Sequence, residues 1–386
     1  MVVALAKRPK TATSVECVEP VGAPKRRRHD NRTTDKPALT NRSQAFAAEL
    51  GALPTPRLLH DRLAELAPPA APVSWPTDHA AIDRIGVISN PHSHRNRTIG
   101  MAPPPAGLDL LFETPRNPDR LAATLARFAE AKIDLMIVDG GDGTLRDVIT
   151  AAPRYFGERL PRLGIAPSGK TNALALDLGL PRTWTIADAV TAARTGRFAR
   201  RAPIEIRRAG SDALPDRGFL FGVGAFVRAT ELAQRTHRAG AVNGLAVGLS
   251  LSLAVAQTMF GSVSKGWRAG ERVAIRGDDG RAADRPFYLL VGSTLERLPL
   301  GLKPFGRIRP GFKVLAIEAP PRRLALNVVP LLAGSERPAL KRDGYHRADP
   351  QSFELSVERG FILDGEHYPG GDLLIGTGEP LYFSVP

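Results

Sequence analysis

Cysteine is all but missing from this chain: Cys17 is the only one in 386 residues. An intramolecular disulfide and a cysteine-built zinc centre are therefore excluded, which suits a reducing compartment. Aromatic residues are scarce at 6%, and the three tryptophans, Trp75, Trp184 and Trp267, read as packing anchors rather than platforms for stacked bases. Acidic side chains are in deficit, 39 Asp and Glu against 53 Lys and Arg, for a formal net charge of +14. Such a surplus favours anionic partners, nucleotides or acidic lipid surfaces among them. Long apolar runs are also lacking, with one exception: residues 239–264 carry no charge between Arg238 and Lys265. Asn243, Gln257 and several Gly and Ser inside it favour a buried or lipid-facing helix over a membrane span. The apolar run at the N-terminus, Met1 to Ala6, is too short for a signal-peptide core and no small-residue cleavage site follows it. The expected location is cytoplasmic, with peripheral contact at the inner membrane. His92, His94, His346 and His367 do not share metal-ligand spacing on one element, so none is assigned to a metal.

What is present divides into three parts. Residues 1–78 are rich in Pro, Thr and Arg, include Lys25-Arg26-Arg27-Arg28 and end on Pro68-Pro69-Ala70-Ala71-Pro72. This is the composition of a basic, mostly disordered tail, with room for one short helix at 57–66. Residues 79–197 alternate apolar strands with helices: a strand at 84–89, a helix from Asp119 to Lys132 capped by Asn117-Pro118, strands at 133–138 and 163–166, and a helix closing at Leu178. That alternation predicts a parallel α/β layer with its ligands at the carboxyl ends of the strands. From 198 to 386 the texture changes to short runs of Val, Ile, Leu and Phe broken by Gly and Pro, which predicts hairpins in a sheet-rich second domain.

Three motifs fall at predicted strand ends. Asn90-Pro91 follows the first strand as a turn signal. Gly140-Gly141-Asp142-Gly143-Thr144 places bare backbone around one carboxylate, a composition suited to phosphate and Mg²⁺ and equally to a tight turn. Pro167-Ser168-Gly169-Lys170-Thr171-Asn172 ends the third. The stretch from Gly164 to Thr171 also satisfies the Walker A pattern, but the apolar strand runs through Gly164 instead of stopping before it, which argues against a P-loop.

In this order and spacing, and joined by Leu363-Asp364-Gly365-Glu366 near the C-terminus, these motifs resemble the diacylglycerol-kinase catalytic domain superfamily, which includes bacterial lipid kinases and sphingosine and ceramide kinases. The resemblance implies a phosphofructokinase-like α/β nucleotide domain, a β-sandwich domain after it, and an active site in the cleft between the two. It implies an ATP- and Mg²⁺-dependent transfer of the γ-phosphoryl group to a hydroxyl of a lipid presented at a membrane surface, with no nucleic acid involved. Carried over by position, Asn90, Pro91, Gly140 to Thr144, Gly169, Lys170, Thr171 and Asn172 would bind nucleotide. Asp142 and Glu366 would hold metal, and Asp364 would be the general base, with Asp142 and Glu366 beside it in the catalytic set. Two places depart from the pattern: the family's Gly-Thr-x-Asn-Asp is here Gly169-Lys170-Thr171-Asn172-Ala173, and an aspartate expected after Phe226 is Val227. NAD kinase shares the Gly-Gly-Asp-Gly-Thr loop and is the nearest enzymatic alternative. A catalytically inactive lipid- or nucleotide-binding regulator is the other.

Overall fold

The computed structural model describes residues 82–100, 109–157, 160–238, 268–278, 280 and 282–386. The basic tail with its helix at 57–66, the uncharged stretch 239–264, Cys17, Trp75 and Trp267 lie outside them. In chain order the first half contains β1 (Ile85–Ser89), α1 (His94–Ile99), β2 (Leu110–Glu113), α2 (Pro118–Glu130), β3 (Leu135–Gly140), α3 (Asp142–Ala151), α4 (Pro153–Phe156), β4 (Arg162–Pro167), α5 (Ala173–Asp177), α6 (Ile186–Arg194) and β5 (Phe198–Arg201). β1 and β3 are buried along their whole length, as parallel strands between helical layers have to be. The Asn117 side chain accepts the Arg120 N–H to start α2, which buries Leu121, Leu125 and Phe128. This helix stops two residues before the expected Lys132, because Lys132 turns left-handed at φ 52°.

The second half contains β6 (Ile204–Arg208), β7 (Asp216–Gly218), β8 (Leu220–Gly224), α7 (Ala225–Arg238), β9 (Glu271–Gly277), β10 (Ala282–Ser293), β11 (Lys313–Glu318), α8 (Leu324–Leu332), α9 (Pro338–Arg342), β12 (Tyr345–Ala348), β13 (Ser352–Val357), β14 (Phe361–Leu363), β15 (Glu366–Tyr368), β16 (Gly371–Thr377) and β17 (Leu381–Ser384). Its strands from β6 to β16 pair antiparallel, and the long β10 is the spine. One edge of β10 pairs first with β9 and then with β8, while β11 follows the other edge. The sheet therefore folds on β10 into an open half-barrel, and the two layers expected of a sandwich are halves of one hydrogen-bonded sheet. Alternation along β10 sorts its side chains between two cores. Leu290 joins Phe221, Phe353, Phe361 and Ile375 inside the fold, whereas Leu289 and Val291 face Phe226, Val328 and Leu340 under α7, α8 and α9.

The first sheet draws on two segments that the sequence reading assigned to the second domain. Its order is β2-β1-β3-β4-β17-β5, so β5 and the last strand of the chain complete it. β17 runs parallel to β4 and antiparallel to β5, and its Phe383 is fully buried. No helix among the described residues is long and apolar enough to cross a membrane.

Candidate functional site

Each of the three central strands of the first sheet ends on a polar residue that packing alone would not choose. Ser89 ends β1, Ser168 follows β4, and Asp139 lies one residue before the end of β3; all three are buried. The hydroxyls of Ser89 and Ser168 both donate to the Asp139 carboxylate, the first at 2.5 Å, and Asn96 Nδ2 of α1 donates to it at 3.0 Å. A buried carboxylate needs such partners. Here they tie the carboxyl ends of β1, β3 and β4 into one rigid floor. The sequence reading missed this network, and its only signal was the polar residue at the end of each apolar strand, Ser89, Asp139 and Ser168.

Asn90 stands on that floor. Its Nδ2 donates to Thr144 Oγ1 at 2.8 Å while its Oδ1 accepts the His92 N–H at 2.8 Å, which joins the first motif to the second and shapes the Asn90-Pro91 turn. The second and third motifs meet at their glycines. A Cβ on Gly169 would lie 2.5 Å from the Gly141 Cα, and one on Gly141 would lie 3.0 Å from the Gly169 Cα. Only two bare backbones can come this close. Gly141 is also the N-cap residue of α3 and provides no side-chain cap, so the first amides of a ten-residue helix lack a side-chain acceptor beside the paired glycines, an arrangement suited to phosphate.

Asp142 is the first residue of that helix. Its Oδ1 accepts the Leu174 N–H at 3.4 Å, and burial pushes its carboxyl up, opposed by the backbone N–H groups of Ala173, Leu174 and Asn172. Asn172 is left-handed at φ 50° and closes the third motif on itself, accepting the Gly169 N–H at 2.9 Å and donating to Gly169 O at 3.0 Å. Thr171 is half-buried beside it and Lys170 is exposed. The Walker A alternative fails on geometry: Gly164 lies inside β4, where a Cβ would meet Ile137 Cγ1 at 3.0 Å and Ala189 Cβ at 3.2 Å.

The fourth motif reaches the same place from the second half of the fold. Asp364 and Gly365, at φ 46° and 86°, make the tight turn between β14 and β15. The Asp364 carboxylate accepts the N–H groups of Phe219 and Leu220 at 2.8–3.1 Å. Burial pushes its pKa up to about 7, the charge of Asp142 adds to the rise, and the two N–H donors and the Arg146 guanidinium oppose it. The carboxylates of the second and fourth motifs thus act on one another across the junction of the two sheets. Glu366 is exposed at the start of β15. Arg146, also missed from sequence, is buried in α3; its Nε and Nη2 donate to Asp147 Oδ1 at 3.1 and 2.7 Å, and its Nη1 reaches Leu363 O at 3.5 Å. Thr150, one turn on, takes the Arg217 N–H at 3.0 Å. The helix that begins at the glycine turn is therefore fastened to the other half along its side. Val227 is buried in the apolar core beneath α8 and Ala173 opens α5, so neither departure from the motif pattern places a charged group. Among the described residues, no three His, Cys, Asp or Glu side chains are grouped to hold a metal ion.

Residues 84–204 match the diacylglycerol kinase catalytic domain, which bears out the resemblance read from the motifs. Over 60 residues the chain is 42% identical to proteins named "Probable lipid kinase YegS" from Shigella flexneri and from Shigella boydii serotype 18. That alignment covers 14% of this chain, and it spans about a fifth of the length of those relatives, 20%. Among solved structures, a diacylglycerol kinase from Bacillus anthracis str. Sterne superposes with a TM-score of 0.53 at 16% identity, over 80% of this chain and 98% of that one. A second structure from the same organism gives 0.56 at 17% identity over the same shares. At such identity the likeness is one of fold: a mixed α/β sheet domain joined to an antiparallel, β-rich half-barrel.

Proposed function

We propose that this chain is an ATP-dependent lipid kinase, which moves the γ-phosphoryl group of ATP to a hydroxyl of a lipid such as diacylglycerol, ceramide or a sphingoid base. The observation that carries the reading is the link that α3 makes between Asp142 and Asp364: Asp142 opens the helix at the glycine turn, Arg146 of the same helix reaches Leu363 O beside Asp364, and burial raises the Asp364 pKa to about 7. Phosphoryl transfer to an alcohol calls for this pair of environments, one beside the phosphates and one ready to take a proton near neutral pH. Asp364 accepts the proton of the lipid hydroxyl as that oxygen bonds to the γ-phosphorus. The bond from phosphorus to the β–γ bridging oxygen breaks, and its electron pair leaves with ADP.

In this reading the uncapped start of α3, beside the close-packed Gly141 and Gly169 backbones, receives the nucleotide's phosphates, and Asn90 and Thr144 form the wall of that site. Mg²⁺ takes one or two carboxylates and completes its shell with phosphate oxygens and water; Asp142 and Glu366 are donors of that kind, and the bound ion would neutralise charge on the transferred group. The α/β half is read as phosphofructokinase-like, with 79–197 as the nucleotide portion, 198–386 as the lipid portion apart from β5 and β17, which complete the first sheet, and the substrate presented at the inner face of a membrane. The exposed Lys170, with Ala173 and Val227 in place of carboxylates, favours as second reading an inactive lipid or nucleotide binder. The experiment is γ-labelled ATP with mixed micelles of diacylglycerol, monoacylglycerol, ceramide and sphingoid base, resolved by thin-layer chromatography, with NAD as a further acceptor. Labelled lipid in the presence of Mg²⁺ is the expected result. Label in NAD alone, or in nothing while ATP binds, would overturn it.

A further inference from the structure

The nine residues of α8 include no charged side chain. Leu324, Val328 and Leu331 are buried in the core beneath the helix, yet Leu326 and Val329 are 72% and 66% exposed. Three positions apart, they stand one above the other on the outer face. A helix apolar on both sides calls for a second covering.

The surroundings say what kind. Arg322 and Arg323 precede the helix, Lys341 and Arg342 close α9, and all four are exposed. Asn327 Nδ2 donates to Asp343 Oδ2 at 2.8 Å and to Arg322 O at 3.3 Å, which brings the basic end of α9 beside the basic start of α8. Arg323 lies 3.9 Å from Asp343; among the described residues the other three cations have no acidic partner. Arginines at a helix N-terminus face the positive end of its dipole, an unfavourable placement that a nearby anion relieves. A second copy docked through this face would set cation against cation. An anionic bilayer satisfies both features, since it offers negative headgroups around an apolar interior.

We propose that α8 and α9 form a membrane-docking surface, in which Leu326 and Val329 enter the acyl boundary of an anionic bilayer while Arg322, Arg323, Lys341 and Arg342 meet its headgroups. The purpose of this surface rests on the lipid-acceptor reading, because a bilayer-borne substrate has to be met where it lies; the binding itself does not.

The test is co-flotation of the full chain with vesicles of phosphatidylcholine alone or mixed with phosphatidylglycerol. The chain should float with the mixed vesicles, less so as salt is raised, and only weakly with phosphatidylcholine alone. Leu326→Ser with Val329→Ser should lower mixed-vesicle affinity about tenfold or more and leave turnover in detergent micelles at the parent level. Arg322→Gln with Lys341→Gln should flatten the salt dependence. Binding that persists unchanged in the serine variant would overturn the proposal by assigning attachment to another surface, such as the basic tail. Dimerisation without vesicles that the serine variant abolishes would also overturn it, since a second copy would then be the covering. Vesicle binding that depends on Leu326 and Val329 in a chain that phosphorylates no lipid would uphold docking and refute the kinase reading, so the two fail separately.

Discussion

Asp364 is both a turn residue and the candidate base, and a substitution can separate the two roles. Asn accepts the left-handed conformation at φ 46° as readily as Asp does, and its amide oxygen can still take the Phe219 and Leu220 N–H groups. Asp364→Asn is therefore expected to fold while kcat falls by about two to four orders of magnitude with little change in ATP affinity. Asp142→Asn should differ, raising the KM for MgATP along with the loss of rate, because the proposed mechanism puts that group at the phosphates. Steady-state kinetics on both variants decides this, and near-normal turnover by Asp364→Asn would remove it from the mechanism. The raised pKa of Asp364 also sets two pH dependences. The base is the ionised form, so kcat should climb with pH and level off above about 7. An acid whose pKa is higher in the fold than its ordinary 3.8 favours the folded state most when protonated, so its contribution is lost as pH rises from there through about 7. Asp364→Asn should accordingly melt above the parent at pH 8, with the gap closing in acid. Gly169→Ala tests the nucleotide turn: its Cβ would fall 2.5 Å from the Gly141 Cα and 2.7 Å from Asn172 Oδ1. The Gly141 backbone cannot yield cheaply and the Asn172 side chain is tied to Gly169, so a stability loss of about 1–3 kcal/mol and weakened ATP binding are expected by urea titration and calorimetry.

Among the elements, α3 joins the two halves. Its first residue, Asp142, lies at the glycine turn, Arg146 in its second turn touches the strand that leads into Asp364, and Thr150 holds Arg217. A periodicity reading sees only that Leu145 and Val148 share its apolar face, and Arg146 looks like a solvent cation because nothing local says that another sheet lies against it. Arg146→Met would leave Leu363 O and the Asp147 carboxylate without their donor. Loss of about 1–3 kcal/mol of stability is expected, with kcat falling more than the KM for ATP rises, since the displaced group is the Asp364 hairpin; Arg146→Lys should recover part of the rate. Equal losses in kcat and ATP affinity would make Arg146 merely structural.

For the whole molecule, the decisive connection is the return of the chain's last strand to the first sheet. β17 fills the position between β4 and β5, and its Phe383 packs edge-on against Phe219 of the other half, with ring centroids 6.2 Å apart. Removal of residues 381–386 would expose a row of unpaired backbone groups on β4 and β5 and open the core around Phe383. The α/β half should then lose cooperative thermal unfolding by circular dichroism even though every motif remains in the chain. Retention of a sharp transition would show that β17 is dispensable.

The sequence by itself determined the local chemistry: that β1, β3 and β4 are buried parallel strands, that an Asn-Pro turn follows the first and glycine-bearing turns the other two, that Asn117 and Pro118 start a helix, and that Asp364-Gly365 is a tight turn. These follow from side-chain period, capping and backbone freedom, which act over a few residues. The tertiary structure decided which of those turns face one another, why Ser89, Asp139 and Ser168 are polar where apolar residues would pack, that Arg146 is buried, and that the final strand closes the first sheet. Each of these depends on contacts between segments far apart in the chain, where pairing is selected by burial and hydrogen-bond satisfaction across the whole fold. No local pattern records that selection.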